Sequence, residues 1–244
     1  AGLKLWTVHT PDGKLTPALV ETQCFDFDFV HRAQQAVVSI TQTTEMGTLY
    51  SIDEIRAIAE TAHKHGLYLH MDGARLSNAA AALGATFKEF TTDAGVDIVS
   101  FGGTKIGALA AEAVVVLNPK LDEQIPYLRK TSMQLPSKMR FVSAQLIALL
   151  RNGSRLALAS GNHANAMARR LDAGIRALGL EVPNPTEANA VFPILPAGVY
   201  EKLQDEFPFY IWDHTINQVR LMCSWDTTEQ DVDALLAAIK KEIN

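Results

Sequence analysis

The sequence predicts an α/β protein in which a mostly parallel sheet is covered by helices and followed by a small α+β domain. Strand-like and helix-like segments alternate over the first 120 residues, and one strand–helix–strand unit of about 35 residues indicates parallel pairing. After Pro119 the pattern becomes mainly helical, before strand candidates and a closing helix. We assign residues 1–155 to a large domain with its helical connector, and residues 156–244 to a small C-terminal domain.

Two strands and one helix are predicted first. Leu3–Val8 has a strand-like pattern, and Ala36–Ile40 is a β-branched run typical of a buried strand. Ser51 and Glu54 have the spacing of a capping box, in which each side chain hydrogen-bonds the other residue's backbone amide. The helix that begins there has apolar residues at helical spacing and is expected to end at Gly66.

The next segments complete the large sheet. Leu67–Met71 is a strand that should pair in parallel with the preceding one, and the helical stretch Arg75–Leu83 is expected to end at Gly84. Asp97–Phe101 is a further strand. Ala113–Leu117 is apolar throughout, which predicts a strand that is buried on both faces.

The second half of the chain predicts long helices and a small sheet. Helical periodicity is strongest over Ser137–Leu158 and His163–Leu180. The closing helix is predicted from a capping-box pattern between Thr227 and Gln230 and from an apolar stripe that follows it. Three strand candidates lie between these helices: Ala190–Leu195, Phe209–Trp212 and Val219–Cys223.

Composition excludes several classes of protein. The 244 residues are 48% hydrophobic and 20% charged, as in a globular chain with a sizeable core, and the net charge of −5 argues against a general nucleic-acid binder. No apolar stretch is long enough for a membrane span. Cys24 and Cys223 lie too far apart for a zinc ribbon and favour a cytoplasmic location. Asp26 and Asp28 lack further ligands nearby, so we expect no metal site.

Unusual polar residues follow two strands of the predicted sheet. Asp72 comes directly after one strand with Arg75 one helical turn later, and Lys105 lies among glycines after the next. Ligands bind at this edge in open parallel sheets. Simpler interpretations are that Asp72 caps the next helix and that Lys105 is a loop lysine. The Gly102–Gly107 segment is not a P-loop, because it lacks the first glycine and the hydroxyl residue after the lysine.

An aspartate and a lysine so placed can serve pyridoxal phosphate. Burial lowers the pKa of a lysine and frees its amine to attack the aldehyde of this cofactor. The aspartate can pair with the protonated pyridine nitrogen and keep the ring able to accept electrons. We therefore expect Lys105 to be buried and to be the covalent attachment point of the cofactor. Asp72 would pair with the pyridine nitrogen.

Several sequence motifs, which occur in the same order along the chain, resemble those of the threonine aldolase / β-eliminating lyase family of fold-type I pyridoxal-phosphate enzymes. Asp72-Gly73-Ala74-Arg75 together with Gly103-Thr104-Lys105 is the most discriminating combination. The matching segments are Val38–Gln42 with Glu45–Gly47, His70–Leu76, Ser100–Lys105, Ala111–Val115, Arg129–Phe141 and Val219–Met222.

The resemblance implies roles for four residues. Lys105 would hold the cofactor and Asp72 would pair with its pyridine nitrogen. Arg75 would lie near the cofactor's phenolic oxygen and the substrate carboxylate, and Arg220 would bind that carboxylate through its planar fork. Without the resemblance, Arg220 would be interpreted as a surface arginine on a half-exposed strand.

The resemblance also implies features beyond these four residues. Lys130 and Arg140 are candidates to approach the cofactor phosphate, and sites completed across subunits imply a homodimer or homotetramer. The family's phosphate-binding Gly-Thr turn and its ring-stacking histidine are not found in this sequence. We therefore expect the chain to be the C-terminal part of a longer enzyme, with weak or no activity by itself.

The function expected from the resemblance is cleavage of L-threonine, L-allo-threonine or a related β-hydroxy-α-amino acid to glycine and an aldehyde. Lys105 and Asp72 would be the catalytic residues. One alternative is a pyridoxal-phosphate-dependent β-eliminating lyase of the tryptophanase-like branch. Another is a non-catalytic remnant of the fold that serves as an interaction partner. A nucleotide-binding domain is disfavoured because the chain lacks a GxGxxG motif.

Overall fold

The computed structural model describes residues 2–243 and contains a four-stranded sheet in the order β1-β2-β3-β4. These strands are β1 Val37–Thr41, β2 Tyr68–Gly73, β3 Ile98–Gly102 and β4 Glu112–Val116. β1, β2 and β3 are parallel, and β4 runs antiparallel to β3. The predicted α/β architecture with a mostly parallel sheet is therefore confirmed.

Helices pack against this sheet, and a second sheet follows later in the chain. The second sheet is antiparallel, in the order β5-β7-β6, with β5 Ala190–Val191, β6 Tyr210–Asp213 and β7 Gln218–Met222. The helices are α1 Pro17–Glu21, α2 Ile52–Lys64, α3 Leu76–Leu83, α4 Phe87–Phe90, α5 Ile125–Thr131, α6 Met139–Ala177, α7 Val199–Leu203 and α8 Glu229–Ile243.

The two faces of β2 have different environments. Leu69 and Met71 are fully buried in a core that also contains Ile55 of α2 and Ala79 of α3. Alternate residues of a strand point to opposite faces, so Asp72 shares the other, half-buried face. The polar residues of the strand thus lie on the face away from this core.

The capping box of α2 is confirmed. Ser51 Oγ accepts a hydrogen bond from Glu54 N at 3.2 Å, and Glu54 Oε2 accepts one from Ser51 N at 2.7 Å. The helix ends at Lys64, before Gly66, whose φ is +72°. α3 likewise ends before Gly84, which adopts a left-handed conformation. Local sequence signals therefore determine these boundaries.

Two strand predictions were wrong. Leu3–Val8 forms no strand, and Leu3 is 80% exposed, because no neighbouring strand pairs with this segment within the described residues. β4 exists but is not buried on both faces, and Val114 is 61% exposed. β4 lies at the edge of the sheet after β3, so its apolar sequence indicated strand type correctly but not burial.

The helical predictions need two corrections. Non-helical backbone at 151–154 divides α6 into two helices, so the break lies within the predicted helical segment Ser137–Leu158 and not after it. At the start of α8 the side chains that exchange hydrogen bonds with the backbone are Thr228 and Asp231, not Thr227 and Gln230. Thr227 Oγ1 instead accepts a hydrogen bond from Ser224 N in the preceding turn.

Two separate hydrophobic clusters include residues of α6, and the change from one to the other comes after the non-helical segment 151–154. One contains residues of the large sheet and extends to Ala157, and the other, from Met167 onwards, packs around the small sheet and α8. The division at residues 155 and 156 stays a prediction. Between residues 2 and 243, no helix has the length and apolar character needed to cross a membrane.

Gly161 of α6 allows this helix to pack closely on α3. A Cβ atom added at Gly161 would overlap the backbone carbonyl of Ser77. Asn165, one turn later, donates a hydrogen bond from Nδ2 to Asn78 O at 2.9 Å. The close approach of two backbones here requires the absence of a side chain.

We expect Gly161→Ala to lower the free energy of unfolding by about 1–3 kcal/mol, because overpacking would force α6 away from α3. Chemical denaturation followed by circular dichroism measures this change. Asn162→Ala is the control, because Asn162 is an exposed neighbour in the same helix. Equal stability of wild type and Gly161→Ala would contradict the proposed packing constraint.

Candidate active site

Asp72 and Lys105 lie at the same edge of the large sheet. Asp72 is opposite Ser100 in the register of β2 and β3, and Lys105 lies in a short 3-10 turn, Thr104–Ile106, directly after β3. Both strands are parallel, so the chain leaves each of them at the carboxyl edge. Lys105 follows its strand as the sequence predicts, whereas Asp72 is the penultimate residue of β2 and does not follow it.

The turns after β2 and β3 are packed backbone against backbone. A Cβ atom on Gly102 would overlap the backbone of Ala74, which lies two residues after Asp72. Gly103 donates a hydrogen bond from its amide to Ala111 O at 3.0 Å, which fixes the chain just before Lys105. Glycine at position 102 therefore brings the two turns together.

Asp72 is held by its own turn. Its Oδ1 accepts a hydrogen bond from Ala74 N at 2.9 Å, and the side chain is half-buried. Asp72 does not cap α3, because the N-cap residue is Arg75 and no side chain caps the helix. The simpler interpretation of Asp72 as a helix cap is thus wrong. Its carboxylate is positioned by the strand and the turn.

Lys105 is more exposed than the sequence predicted, but its pKa is lowered. The residue is exposed to solvent, so the expectation that Lys105 is buried is wrong. Partial desolvation is the largest cause of the lower pKa, and the positive charge of Arg75 is the next. The negative charges of Glu45 and Asp72 oppose this shift in the pKa. The amine is therefore deprotonated at lower pH than an ordinary lysine.

Arg75 and Arg220 are brought together by a glutamate that the sequence analysis did not single out. Arg75 Nη1 donates a hydrogen bond to Glu45 Oε1 at 2.9 Å, and Arg220 Nη2 donates one to Glu45 Oε2 at 2.7 Å. Arg75 begins α3, and Arg220 lies on β7 of the small sheet. One carboxylate therefore connects the two sheets through two guanidinium groups.

The charges of this cluster shift the pKa values of its members. Desolvation pushes the pKa of Glu45 up, but the hydrogen bond and charge of Arg75, with the charges of Arg220 and Lys105, lower it overall. Desolvation also lowers the pKa of Arg220, as does the nearby charge of Arg75, while Glu45 opposes both effects. Glu45 is therefore ionised at neutral pH and screens the repulsion between the two arginines.

His70 lies on the same face of β2 as Asp72 and between two serines. Its Nδ1 is 2.8 Å from Ser39 Oγ, and its Nε2 is 3.0 Å from Ser100 Oγ. Desolvation lowers the pKa of His70, and the charge of Asp72 only partly offsets this. His70 is therefore neutral at pH 7, with both ring nitrogens within hydrogen-bonding distance of a hydroxyl.

The basic segment around Lys130 and Arg140 lies on the surface. Both side chains are exposed, as are those of Arg129 and Lys138. Arg129 Nε donates a hydrogen bond to Gln134 O at 3.1 Å, within the same segment. The role of Lys130 and Arg140 toward a cofactor phosphate stays a prediction.

Glu45 is the member of the site that sequence reasoning missed. It occurs in a matching segment of the resemblance, but as an isolated acidic residue in a loop it gave no reason to assign it a role. One signal was present in its position after β1. Thr41, near the end of β1, pairs with Asp72, so the turn that carries Glu45 leaves the same edge of the sheet.

Comparisons with known proteins extend over most of the chain. Residues 1–197 match the family described as Beta-eliminating lyase. A low specificity L-threonine aldolase of a Pseudomonas species is 43% identical over 98% of this chain and 69% of that protein. The low specificity L-threonine aldolase of Pseudomonas aeruginosa is 40% identical with the same coverage.

A solved structure is also similar. The threonine aldolase of Leishmania major superposes with a TM-score of 0.91 at 31% identity. The match covers 100% of this chain and 71% of that one. The similarity therefore includes both the large and the small sheet.

The electrostatic account of Lys105 can be tested by its reactivity. We expect Arg75→Gln to raise the pKa of Lys105, because a positive charge that disfavours the ammonium is removed. The midpoint pH for acetylation of Lys105 by limiting acetic anhydride should therefore move upwards, as measured by peptide mass spectrometry. Arg56→Gln is the matched control, since Arg56 is an arginine of α2 that pairs with Asp53. An unchanged midpoint in Arg75→Gln would contradict this account.

Proposed function

The chain belongs to the beta-eliminating lyase family, and on this basis we propose that it is a pyridoxal-phosphate-dependent aldehyde-lyase of the threonine aldolase type. It cleaves L-threonine, L-allo-threonine or a related β-hydroxy-α-amino acid to glycine and an aldehyde. The structural observation that carries this proposal is the convergence of Asp72, Lys105, Arg75 and Arg220 on one edge of the sheet. The charges of Asp72, Arg75 and Arg220 all act on Lys105 there.

The described residues fit pyridoxal phosphate. Lys105 offers an amine whose pKa is lowered, Asp72 offers a carboxylate fixed by its turn, and Arg75 has a buried Nε without a hydrogen-bond partner. An aldehyde, a pyridine nitrogen and a phenolic oxygen are the groups that these three side chains complement. When bound, the cofactor would accept the electrons released as the bond between Cα and Cβ breaks.

Asp72 and Lys105 would act on opposite ends of the cofactor ring. The Asp72 carboxylate would hold the proton on the ring nitrogen through a charge-assisted hydrogen bond, typically worth about 1.5–3 kcal/mol. Lys105 would supply the unprotonated amine that attaches the cofactor and is exchanged for the amine of the substrate. The lowered pKa of Lys105 supports this role, because only the neutral amine is nucleophilic.

Arg75 and Arg220 would bind the carboxylate of the substrate. A guanidinium presents paired N–H donors that match the two oxygens of a carboxylate, which a lysine ammonium cannot do. Arg220 is also held over the ring of Trp212, with its Cζ 5.3 Å from the ring centroid. Two oriented arginines would fix the amino acid relative to Lys105 and so select which bond at Cα is broken.

The test of this proposal is product analysis with L-threonine on the cofactor-loaded protein. We expect glycine and acetaldehyde in equal amounts, with Asp72→Asn slower by at least about 100-fold because the ring nitrogen loses its anionic partner. Without an amino acid present, Lys105→Ala should form no protein-linked yellow adduct, and with L-threonine it should release no aldehyde. Lys64→Ala is the control, since Lys64 is an exposed lysine of α2 that pairs with Glu21.

Other outcomes would separate the remaining possibilities. Ammonia with a keto acid in place of glycine would indicate β-elimination instead of aldol cleavage. A wild-type protein that takes up no pyridoxal phosphate would indicate a non-catalytic member of the fold. A yellow Lys105→Ala protein with full activity would refute the assigned role of Lys105.

We further propose that the protein works in the cytoplasm as a homodimer or homotetramer. Its two cysteines are free thiols, which suits a reducing compartment. Large apolar side chains are exposed along α5, the loop that follows it and the first turn of α6, which is typical of an interface. They include Tyr127 at 69%, Leu128 at 57%, Met133 at 88% and Phe141 at 66% exposure.

Sedimentation equilibrium should give the mass of two or four chains. A double variant, Leu128→Glu with Phe141→Glu, should shift the protein to a lower mass, because charges would be placed in the apolar contact. Tyr210→Glu changes an exposed aromatic residue of β6 instead and should leave the mass unchanged. A wild-type protein that sediments as a single chain would contradict the proposal.

A further inference from the structure

Glu45 occupies the two arginines that the proposed function assigns to the substrate. We propose that Glu45 is an internal occupant of this carboxylate site: it holds Arg75 and Arg220 when no ligand is bound, and a ligand carboxylate must displace it. This inference rests on the proposed function, because that function assigns the arginine pair to the carboxylate of an amino acid.

The geometry of Glu45 is that of a bound ligand. Its two oxygens are shared between two guanidinium groups, with Oε1 2.9 Å from Arg75 Nη1 and Oε2 2.7 Å from Arg220 Nη2. An amino acid that used both arginines would make contacts of the same type with its own carboxylate. The two carboxylates would then compete for the same donors.

Glu45 is the most exposed member of this cluster. The side chain of Arg75 is only 8% exposed and that of Arg220 only 14%, whereas that of Glu45 is 52% exposed. Arg220 is also restrained by its position over Trp212. A half-exposed carboxylate can leave for water at a small cost in desolvation, while displacing a buried guanidinium would leave a charge unpaired.

The two arginines have unused hydrogen-bond donors for an incoming anion. Arg75 Nε and Arg220 Nε are both buried without a hydrogen-bond partner. With Glu45 in place, the cluster of Arg75, Arg220 and Glu45 carries a net charge of about +1, because two cations face one anion. A ligand can therefore replace both contacts of Glu45 and satisfy further donors that Glu45 leaves unused.

Competition by an internal group lowers the apparent affinity of the external one, since only the unoccupied state binds it. Removing the charge of Glu45 should therefore tighten the binding of carboxylate ligands. If Glu45 instead only supported the arginines from outside the site, its removal would weaken binding. The sign of the change thus distinguishes an occupant from a supporting residue.

The experiment is calorimetric titration of the full chain with 3-hydroxybutyrate, which has the carboxylate and hydroxyl of threonine but no amine. We expect Glu45→Gln to lower the dissociation constant about tenfold relative to wild type, the scale of one charge-assisted contact. Glu187→Gln is the matched control. Glu187 is an exposed glutamate that accepts a hydrogen bond from Leu49 N at 2.6 Å. Leu49 is only four residues from Glu45 in the sequence.

Three results would overturn the inference. These are unchanged binding in Glu45→Gln, weaker binding in Glu45→Gln, and equal tightening in Glu187→Gln, which would indicate a general effect of net charge. Thermal melting verifies that each variant is folded. Should Glu45→Gln not fold, Glu45→Asp carries the test with the same expected sign, because its shorter side chain spans the two guanidiniums poorly.

A separate variant keeps the proposed function distinguishable from the inference. Arg220→Gln should weaken the binding of 3-hydroxybutyrate strongly, because half of the carboxylate site is lost. Equal binding in wild type and Arg220→Gln would refute the carboxylate site itself. Weakening in Arg220→Gln without tightening in Glu45→Gln would leave the proposed function intact and refute the role of Glu45 as an occupant.

Discussion

The close contact between two backbone turns is the constraint on which the site depends. Gly102 ends β3 against the backbone of Ala74, and no side chain separates them. This contact places Asp72 and Lys105, which are 33 residues apart in the sequence, at one edge of the sheet. A residue with a Cβ at position 102 would push the turns apart. Asp72 and Lys105 would then lie too far apart to contact the same ligand.

Electrostatics builds on this geometry. Two guanidinium groups near Lys105 disfavour its ammonium form, while Glu45 and Asp72 moderate the effect. Glu45 also reduces the repulsion between Arg75 and Arg220, so that both can be held in a half-buried cluster. The same positive charge that attracts an anionic substrate therefore also prepares the amine for its reaction.

The sequence predicted the local structure best where a signal lies within one element. The capping box at Ser51 and the glycine stop after α2 are both contained in a few residues, and both are present. Predictions failed where the outcome depends on a distant partner. Leu3–Val8 has a strand pattern, but no strand among residues 2–243 pairs with it. The apolar β4 is exposed because it lies at the edge of the sheet, and the position of a strand in a sheet is not a local property of its sequence.

The candidate site divides in the same way. The sequence was sufficient to select four residues, because strand ends, glycines and family motifs are visible in short segments. These residues are Asp72, Arg75, Lys105 and Arg220. Only the tertiary structure showed that Glu45 joins Arg75, 30 residues away, to Arg220, 175 residues away, and that Lys105 is exposed. An ion pair depends on the packing of whole elements against each other, and side-chain patterns along the chain carry no record of such distances.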